Sequence, residues 1–333
     1  MRSDVPDVDG FRFRGVHPRV RLGTASDRYA GWIGQIYAPG RYDHVISRRT
    51  KEVGGASFVE AVLPVESVAE YFDHFQILEI DYTFYRPLLE ADGRPTGNHR
   101  LLGQYARQLG EGDRLLLKVP QAVTARRVRR GGSLVPNAGY LDPRAFTEQF
   151  YRPATSLLGS ALGGLIFEQA YDRKQERLPI HELAHSLDAF FKAIPAETRY
   201  HLELRTEAYL AEPIFEVMAR HGVGQVLSHW TWLPPLRRQL AGAGGRFFNA
   251  GRECVVRLMT PPGMRYEEAY AKAHPFDRLV DGMLHPRMLD DALGTAREAL
   301  AQGVGVNIIV NNRAGGNAPL MAQQLARRFL EML

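Results

Sequence analysis

The 333-residue sequence is 45% apolar, enough for a full-size core, and its length suits either one large barrel or two ordinary domains. Forty-two Lys and Arg against 37 Asp and Glu give a formal charge of +5, compatible with an anionic ligand or with a plain basic surface. A single cysteine, Cys254, excludes an intrachain disulfide and points to a reducing compartment. No basic, apolar leader opens the chain and no apolar run nears the ~18 residues of a membrane span, so a soluble cytoplasmic protein without a membrane partner is expected.

Residues 1–18 are polar and punctuated by Pro and Gly, and read as an N-terminal arm, on the surface or disordered. A short strand at 19–22 runs into a Gly- and aromatic-rich loop, GTASDRYAGWIGQIYAPGRY. A basic, Gly-rich stretch at 48–56 precedes a helical pattern of Val65, Val68, Ala69 and Phe72 behind Pro64. Residues 76–87, QILEIDYTFYRP, alternate as a strand and leave through aromatic residues.

A helix is expected over 100–109, then the strand LLLKVP at 115–120, then a loop crowded with Arg126, Arg127, Arg129 and Arg130. Helical stretches at 143–158, 178–194 and 207–220 alternate with the strands GGLIFEQ, RYHLELR and GQVLSHW. One turn of helix at 234–239, the strand CVVRLM, helices within 266–300, the strand GVNIIVNN and a helix at 318–330 complete the chain. Eight strands, each followed by helical material, predict an α/β fold: a single (β/α)8 TIM barrel with elaborated loops over 19–333.

In such a barrel both faces of a strand are covered, so charges belong near the carboxyl ends, where sites lie. The sequence puts them there: Glu79 and Asp81 oppose Leu78 and Ile80 in parity, Lys118 shares the parity of Leu116, and Glu168 that of Ile166. Glu203 and Arg205 alternate with Leu202 and Leu204, Arg257 follows Val255, and Asn311 follows Ile309. Buried unpaired, each would cost several kcal/mol, so they pair with one another, with a ligand or with a metal. Two readings stand: a self-satisfied ion network, or a site. In the second, Glu203, Glu79 or Asp81 supplies acid/base chemistry, Glu203 foremost, and Lys118, Arg205 and Arg257 hold an anion.

The closing NNRAGGNA carries a further signal, because Gly315 and Gly316 let backbone approach a ligand at the start of a helix; the bland alternative is a turn that needs glycines. Tyr29, Trp32, Tyr85, Trp230 and Trp232 fall at strand exits, where rings stack on bases or sugars or pack long loops. HELAH at 181–185 matches a zinc-protease pattern, but Leu183, Ala184, Leu187, Phe190, Phe191 and Ile194 form the apolar face and leave both histidines on the polar one. No metal ligand set is assigned, no cofactor fingerprint is present, and the cofactor is left open.

RLGTAS with Gly31 and Trp32, EIDYTFYR, LLLKVP with Thr124, LIFEQ, YHLELR, VVRLM and IIVNN with Gly316, Asn317 and Ala318 together resemble the YecE-like family, domain of unknown function 72. The resemblance runs from about residue 21 to the end. It implies a TIM barrel without an established activity, and matches Glu79, Thr83, Phe84, Tyr85, Lys118, Glu203, Arg205, Arg257, Asn311 and Asn312 to positions of the family pattern. The chain departs from that pattern with Asp81-Tyr82, Thr124-Ala125, Glu168-Gln169-Ala170 and Thr206-Glu207-Ala208-Tyr209, and again near Met259-Thr260. Two expected histidines are missing and two carboxylates, Asp81 and Glu168, are added.

The expected function is acid/base catalysis on a phosphate-bearing or other anionic substrate, with Tyr85, Glu168, Asn311, Asn312, Gly315 and Gly316 completing the pocket. The alternatives are a nucleic-acid-binding barrel without turnover, using the 126–130 arginines and the mouth rings, and a metal-dependent hydrolase built on Asp81 and Glu168.

Overall fold

The computed structural model describes residues 5–332, the side chain of Arg130 excepted. Eight of its strands form a closed parallel barrel in chain order: β1 (Val20–Ala25), β4 (Ile77–Ile80), β5 (Arg114–Lys118), β8 (Leu162–Gln169), β9 (Tyr200–Leu204), β10 (Gly224–His229), β11 (Glu253–Leu258) and β12 (Gly305–Val310). Each pairs with the next, and β1 closes the ring between β12 and β4. These are the eight strands expected from the alternation. Helices Val68–His74, Gly97–Ala106, Ile180–Ala193, Glu212–His221, Leu236–Gly242, Pro286–Ala301 and Ala318–Met332, with the helical stretch 143–158, return the chain between strands.

Two hairpins elaborate the strand exits, one at the basic, Gly-rich stretch and one where an arginine-crowded loop was expected. β2 (Ser47–Val53) pairs with β3 (Ala56–Val62), and β6 (Arg127–Arg130) with β7 (Ser133–Pro136), both antiparallel. Each turns on a Gly-Gly pair at positive φ, Gly54-Gly55 and Gly131-Gly132, the geometry that a two-residue hairpin loop demands. The first hairpin carries Val53 and Phe58 onto the helix Tyr266–Ala273 and so lies over the barrel mouth.

Parity sorts the strand residues as expected. Leu22, Leu78, Leu115, Leu117, Leu165, Leu202 and Val256 face the helices and join one large core with Leu187, Phe190, Ile214 and Leu325. Ala25, Ile77, Leu116, Ile166, Val226, Val255 and Ile309 form a separate cluster inside the lumen. This apolar belt divides the lumen into two polar chambers, one at each end of the barrel.

The N-terminal stretch departs from the surface arm expected over 1–18, of which 1–4 lie outside the described residues. Phe13 and Val16 are buried, and Arg14 is sealed in contact with Asp113 at 2.8 Å and with the carbonyls of Phe72 and Phe75 at 3.1 Å. The segment packs because Phe13 contributes a ring to the core and Arg14 answers carbonyls left at a helix end. No helix among the described residues is long and apolar enough to cross a membrane.

Candidate functional site

At the carboxyl end of the lumen, Arg257 crosses from β11 to grip Glu79 of β4 through both fork nitrogens, Nε to Oε2 at 2.7 Å and Nη2 to Oε1 at 2.6 Å. Its Nη1 donates to Glu203 Oε2 at 2.5 Å. Glu203 also accepts from Ser228 Oγ at 2.5 Å and faces Arg205 Nη2 at 3.4 Å. Arg205 reaches Glu168 Oε1 at 2.9 Å, and Lys118 contacts the other oxygen of Glu168. Six charges from β4, β5, β8, β9, the end of β9 and β11 thus form one network, three cations against three glutamates. It accords with the self-satisfied ion network as far as these six residues go.

The network sets the electrostatics. Burial pushes the Glu203 carboxyl upward, but Arg205, Arg257 and Lys118 together with the Ser228 hydrogen bond outweigh it, so Glu203 lies well below the usual carboxylate range. Burial opposes the charge on Arg257, and Glu203 and Glu79 overcome it and hold that guanidinium above its ordinary value. A carboxylate so strongly held ionised is a poor proton acceptor. Glu203 therefore anchors arginines, and Glu79 anchors Arg257 through both of its oxygens.

Above this floor lies a cavity of about 250 Å³ walled by Glu79, Asp81, Tyr85, Lys118, Glu168, Arg205, Arg257, Asn311 and Asn312. Of the expected site residues, Glu203 lies behind the wall and Gly315 and Gly316 lie outside it. A Cβ on Gly316, at φ +107°, would meet Arg278 O at 2.4 Å, so packing against the 278–280 segment demands glycine there. The amides at the start of the last helix are also spent: Ala318 N donates to Asn312 Oδ1 and Leu320 N to Asn317 Oδ1, each at 2.8 Å. The expected backbone approach to a ligand through this Gly pair is thereby corrected.

Local chemistry explains the aromatic exit after β4. Thr83 Oγ1 donates to Lys118 O at 2.7 Å, pinning the turn to the end of β5, and Asn98 Nδ2 donates to the carbonyls of Tyr82 and Arg86. This sets the Phe84 ring 4.1 Å from Lys118 Nζ, a cation–π contact that keeps the ammonium at the wall. Asp81 differs from the other mouth carboxylates, because its side chain has no hydrogen bond or ion pair among the described residues.

Residues the alternation could not place complete the wall: Lys51 from the β2–β3 hairpin, Tyr266 and Tyr270 from the helix after β11, Phe276, and Arg313 from the loop after β12. Lys51 contacts Glu60 at 3.4 Å and lies 4.8 Å from the Tyr270 ring. Arg313 rests on the Tyr266 ring at 4.5 Å and has no carboxylate partner among the described residues. Arg205 Nε, Arg313 Nε and Asn312 Nδ2 are buried donors without an acceptor. The Gly-Gly turn was the available signal for the hairpin and hence for Lys51; for Arg313 it was adjacency to Asn312.

The rings divide. Trp32 is fully buried and donates to Asn312 Oδ1 at 3.2 Å, so it is a packing residue. Tyr85, Tyr171, Trp232 and Tyr266 are exposed at the exits of β4, β8, β10 and β11, and they are the exposed large aromatics of the described residues. Arg205 lies 5.1 Å from the Trp230 ring, and Tyr171 stacks on Trp232 at 5.6 Å and 28°. Arg126 and Arg127 pair with Asp172 and Glu176, which leaves Arg129 exposed on the second hairpin. The side chain of Arg130 lies outside the described residues. His181 and His185 are exposed on an outer helix, and no group of three His, Cys, Asp or Glu among the described residues is placed to hold a metal.

The arrangement can seat an oxyanion against Lys118, Arg205 and Arg313 with one free carboxylate, Asp81, beside it. A search of curated proteins finds no match. Among solved structures, a DUF72 family protein of Thermotoga maritima MSB8 superposes with a TM-score of 0.54 at 16% identity, over 94% of this chain and 98% of that one. A DUF72 family protein of Enterococcus faecalis V583 gives 0.55 at 14% identity, over 94% and 95%. Both share the fold. The family described as "Protein of unknown function DUF72" matches residues 49–332, and the chain belongs to that family.

Proposed function

We propose that the mouth binds a phosphate-bearing small molecule and that Asp81 acts on it as an acid/base group. The observation that carries this reading is the unmatched Arg313, set in the same wall as Lys118 and Arg205 and accompanied by buried donors that lack acceptors. Buried polar groups are nearly always bonded, and a phosphate supplies acceptors to several donors at once. Glu168 holds both Lys118 and Arg205, and Glu203, fixed by Arg257, holds Arg205 again, so both cations are in place before a ligand arrives. The acid/base role passes from Glu203, which its cationic neighbours hold ionised, to Asp81, which no cation engages. The exposed rings around the mouth offer stacking to the rest of the molecule.

A second reading, binding of a nucleic-acid strand without turnover, is favoured by the four exposed rings. It draws less from the second hairpin, since Arg126 and Arg127 already face carboxylates.

Calorimetry against phosphomonoesters, pyrophosphate and oligonucleotides tests these readings. Arg313→Ala should weaken phosphomonoester binding about 10–100-fold, the loss of a charged hydrogen bond worth about 1.5–3 kcal/mol. Asp81→Asn should keep binding and lose turnover. Phosphomonoester affinity unaltered in Arg313→Ala would overturn the assignment, and steeply salt-dependent oligonucleotide binding with no product would select the second reading.

A further inference from the structure

The polar chamber at the opposite end of the barrel lies below the apolar belt and opens as a cavity of about 300 Å³. The amino-terminal end of such a barrel ordinarily serves stability and is filled by packing. Here its wall is strongly polar. Arg21 of β1, Arg114 of β5, His201 of β9, and Glu253 of β11 line it, with Asn307 of β12 alongside and Ile77 of the belt above.

The charges are unequal. Glu253 is committed: Arg21 Nη1 donates to both its oxygens at 3.1 Å, and Asn307 Nδ2 donates to Oε2 at 2.9 Å. Arg114 has no carboxylate partner among the described residues; its hydrogen bond runs to the carbonyl of Asp113 at 2.9 Å. Burial, and then the nearby charge of Arg21, lower the pKa of Arg114 against the opposing pull of Asp113 and Glu253, so the two guanidiniums still repel across a partly desolvated space. Arg199, also in the wall, is neutralised by Glu197.

His201 is an independent observation. It is fully buried, and neither ring nitrogen has a partner. Burial lowers its pKa to about 4, so it is neutral near pH 7 and carries one N–H donor. Flanking strands make room for the ring with glycines: a Cβ on Gly224 would meet Nδ1 at 2.5 Å, and one on Gly164 would meet Cδ2 at 3.2 Å. The ring lines the chamber wall with both nitrogens unbonded. A buried imidazole N–H without an acceptor is destabilising, and a bound acceptor removes that cost.

We infer that this chamber is a second binding site, distinct from the mouth, which takes a small tetrahedral oxyanion of the phosphate class between Arg21 and Arg114 and against His201. An oxyanion relieves the Arg21–Arg114 repulsion and matches the fork geometry of both guanidiniums. Glu253 stays with Arg21 and Asn307, orienting Arg21 from behind. Because the belt of Ala25, Ile77, Leu116, Ile166, Val226, Val255 and Ile309 separates the chambers, the site does not depend on the mouth reading.

The test uses two probes on the full chain. Inorganic phosphate is titrated calorimetrically into the Arg313→Ala protein, where the mouth contributes least, and crystals are soaked in selenate, whose anomalous signal marks its position. The expected results are saturable phosphate binding that weakens at least tenfold in Arg114→Met, and a selenate peak between Arg21 and Arg114 that disappears in that variant. Arg21→Met, which also frees Glu253, should abolish binding. If Arg114→Met fails to fold, Arg114→Lys replaces it, keeping the charge but losing the fork, with at least a fivefold loss expected. Selenate at the mouth alone, ordered water alone in the chamber, or phosphate affinity unchanged in a folded Arg114 variant would each overturn the inference.

Discussion

Replacing Arg257 by Met strands Glu79. The arginine gives three charge-assisted hydrogen bonds of 2.5–2.7 Å in a site where both it and the glutamates are at most 1% exposed. Glu203 retains Ser228 at 2.5 Å and Arg205 at 3.4 Å, whereas Glu79 retains no side-chain hydrogen bond among the described residues. One buried carboxylate left without compensation costs about 3–5 kcal/mol, and Met fills much of the arginine stem, so a void adds little. Urea unfolding at pH 7 should therefore place Arg257→Met about 3–5 kcal/mol below wild type. Adding Glu79→Gln replaces the stranded charge by a neutral amide of the same shape and should recover about 2 kcal/mol. A single Arg257→Met loss below about 1 kcal/mol, or a double variant no more stable than the single, would refute the claim that this network is tightly desolvated and mutually dependent.

Asp27 tests the buried acid beside the mouth. Burial raises its carboxyl to about 6, with Arg28 and the Tyr105 hydrogen bond opposing and Asp81 adding to the rise. The folded state then binds a proton that the unfolded chain has released between about pH 6 and 4, so this group's contribution to stability grows as pH falls through that window. Asp27→Asn should stabilise the protein by about 1–3 kcal/mol at pH 8 and by nothing near pH 4; denaturation curves that shift equally at both pH values would contradict it. At the rim, Trp232→Ala should weaken a ring-bearing phosphate ester about 5–100-fold by calorimetry and leave inorganic phosphate unchanged, since stacking is worth about 1–3 kcal/mol. Equal loss for both ligands would show that Trp232 shapes the anion pocket instead. With Trp232 already 46% exposed, the melting temperature should barely move.

Strand alternation carried most of the barrel and its lumen-facing set, because a parallel strand buried on both faces has few places for a charge. Glu79, Lys118, Glu168, Glu203 and Arg257 were found that way. The alternation fixes which face a residue takes but not which charge it meets, so it could not separate Glu203, held ionised behind the wall, from Asp81, left free in it. The β2–β3 hairpin shows in the sequence only as a basic, Gly-rich stretch because β2, SRRTKEV, has Val53 as its one apolar residue; Val53 and Phe58 are covered by a helix about two hundred residues later. The unmatched Arg313 and the lower chamber were invisible for the same reason. Each is defined by the partners a side chain lacks in space.

Barrel closure through β1 and β12 has a consequence for synthesis. Strand β1 appears first and waits for β12, the last strand, while Val8 and Asp9 wait for Gln323 and Arg327 of the final helix, at 3.0 and 2.7 Å. A ribosome-bound chain extended as far as β11 therefore carries seven strands with two unpaired edges, Val20–Ala25 and Glu253–Leu258. Unpaired edges recruit strands from other chains. Such a chain stays open to mispairing until β12 and the helix Ala318–Met332 are added and close the ring.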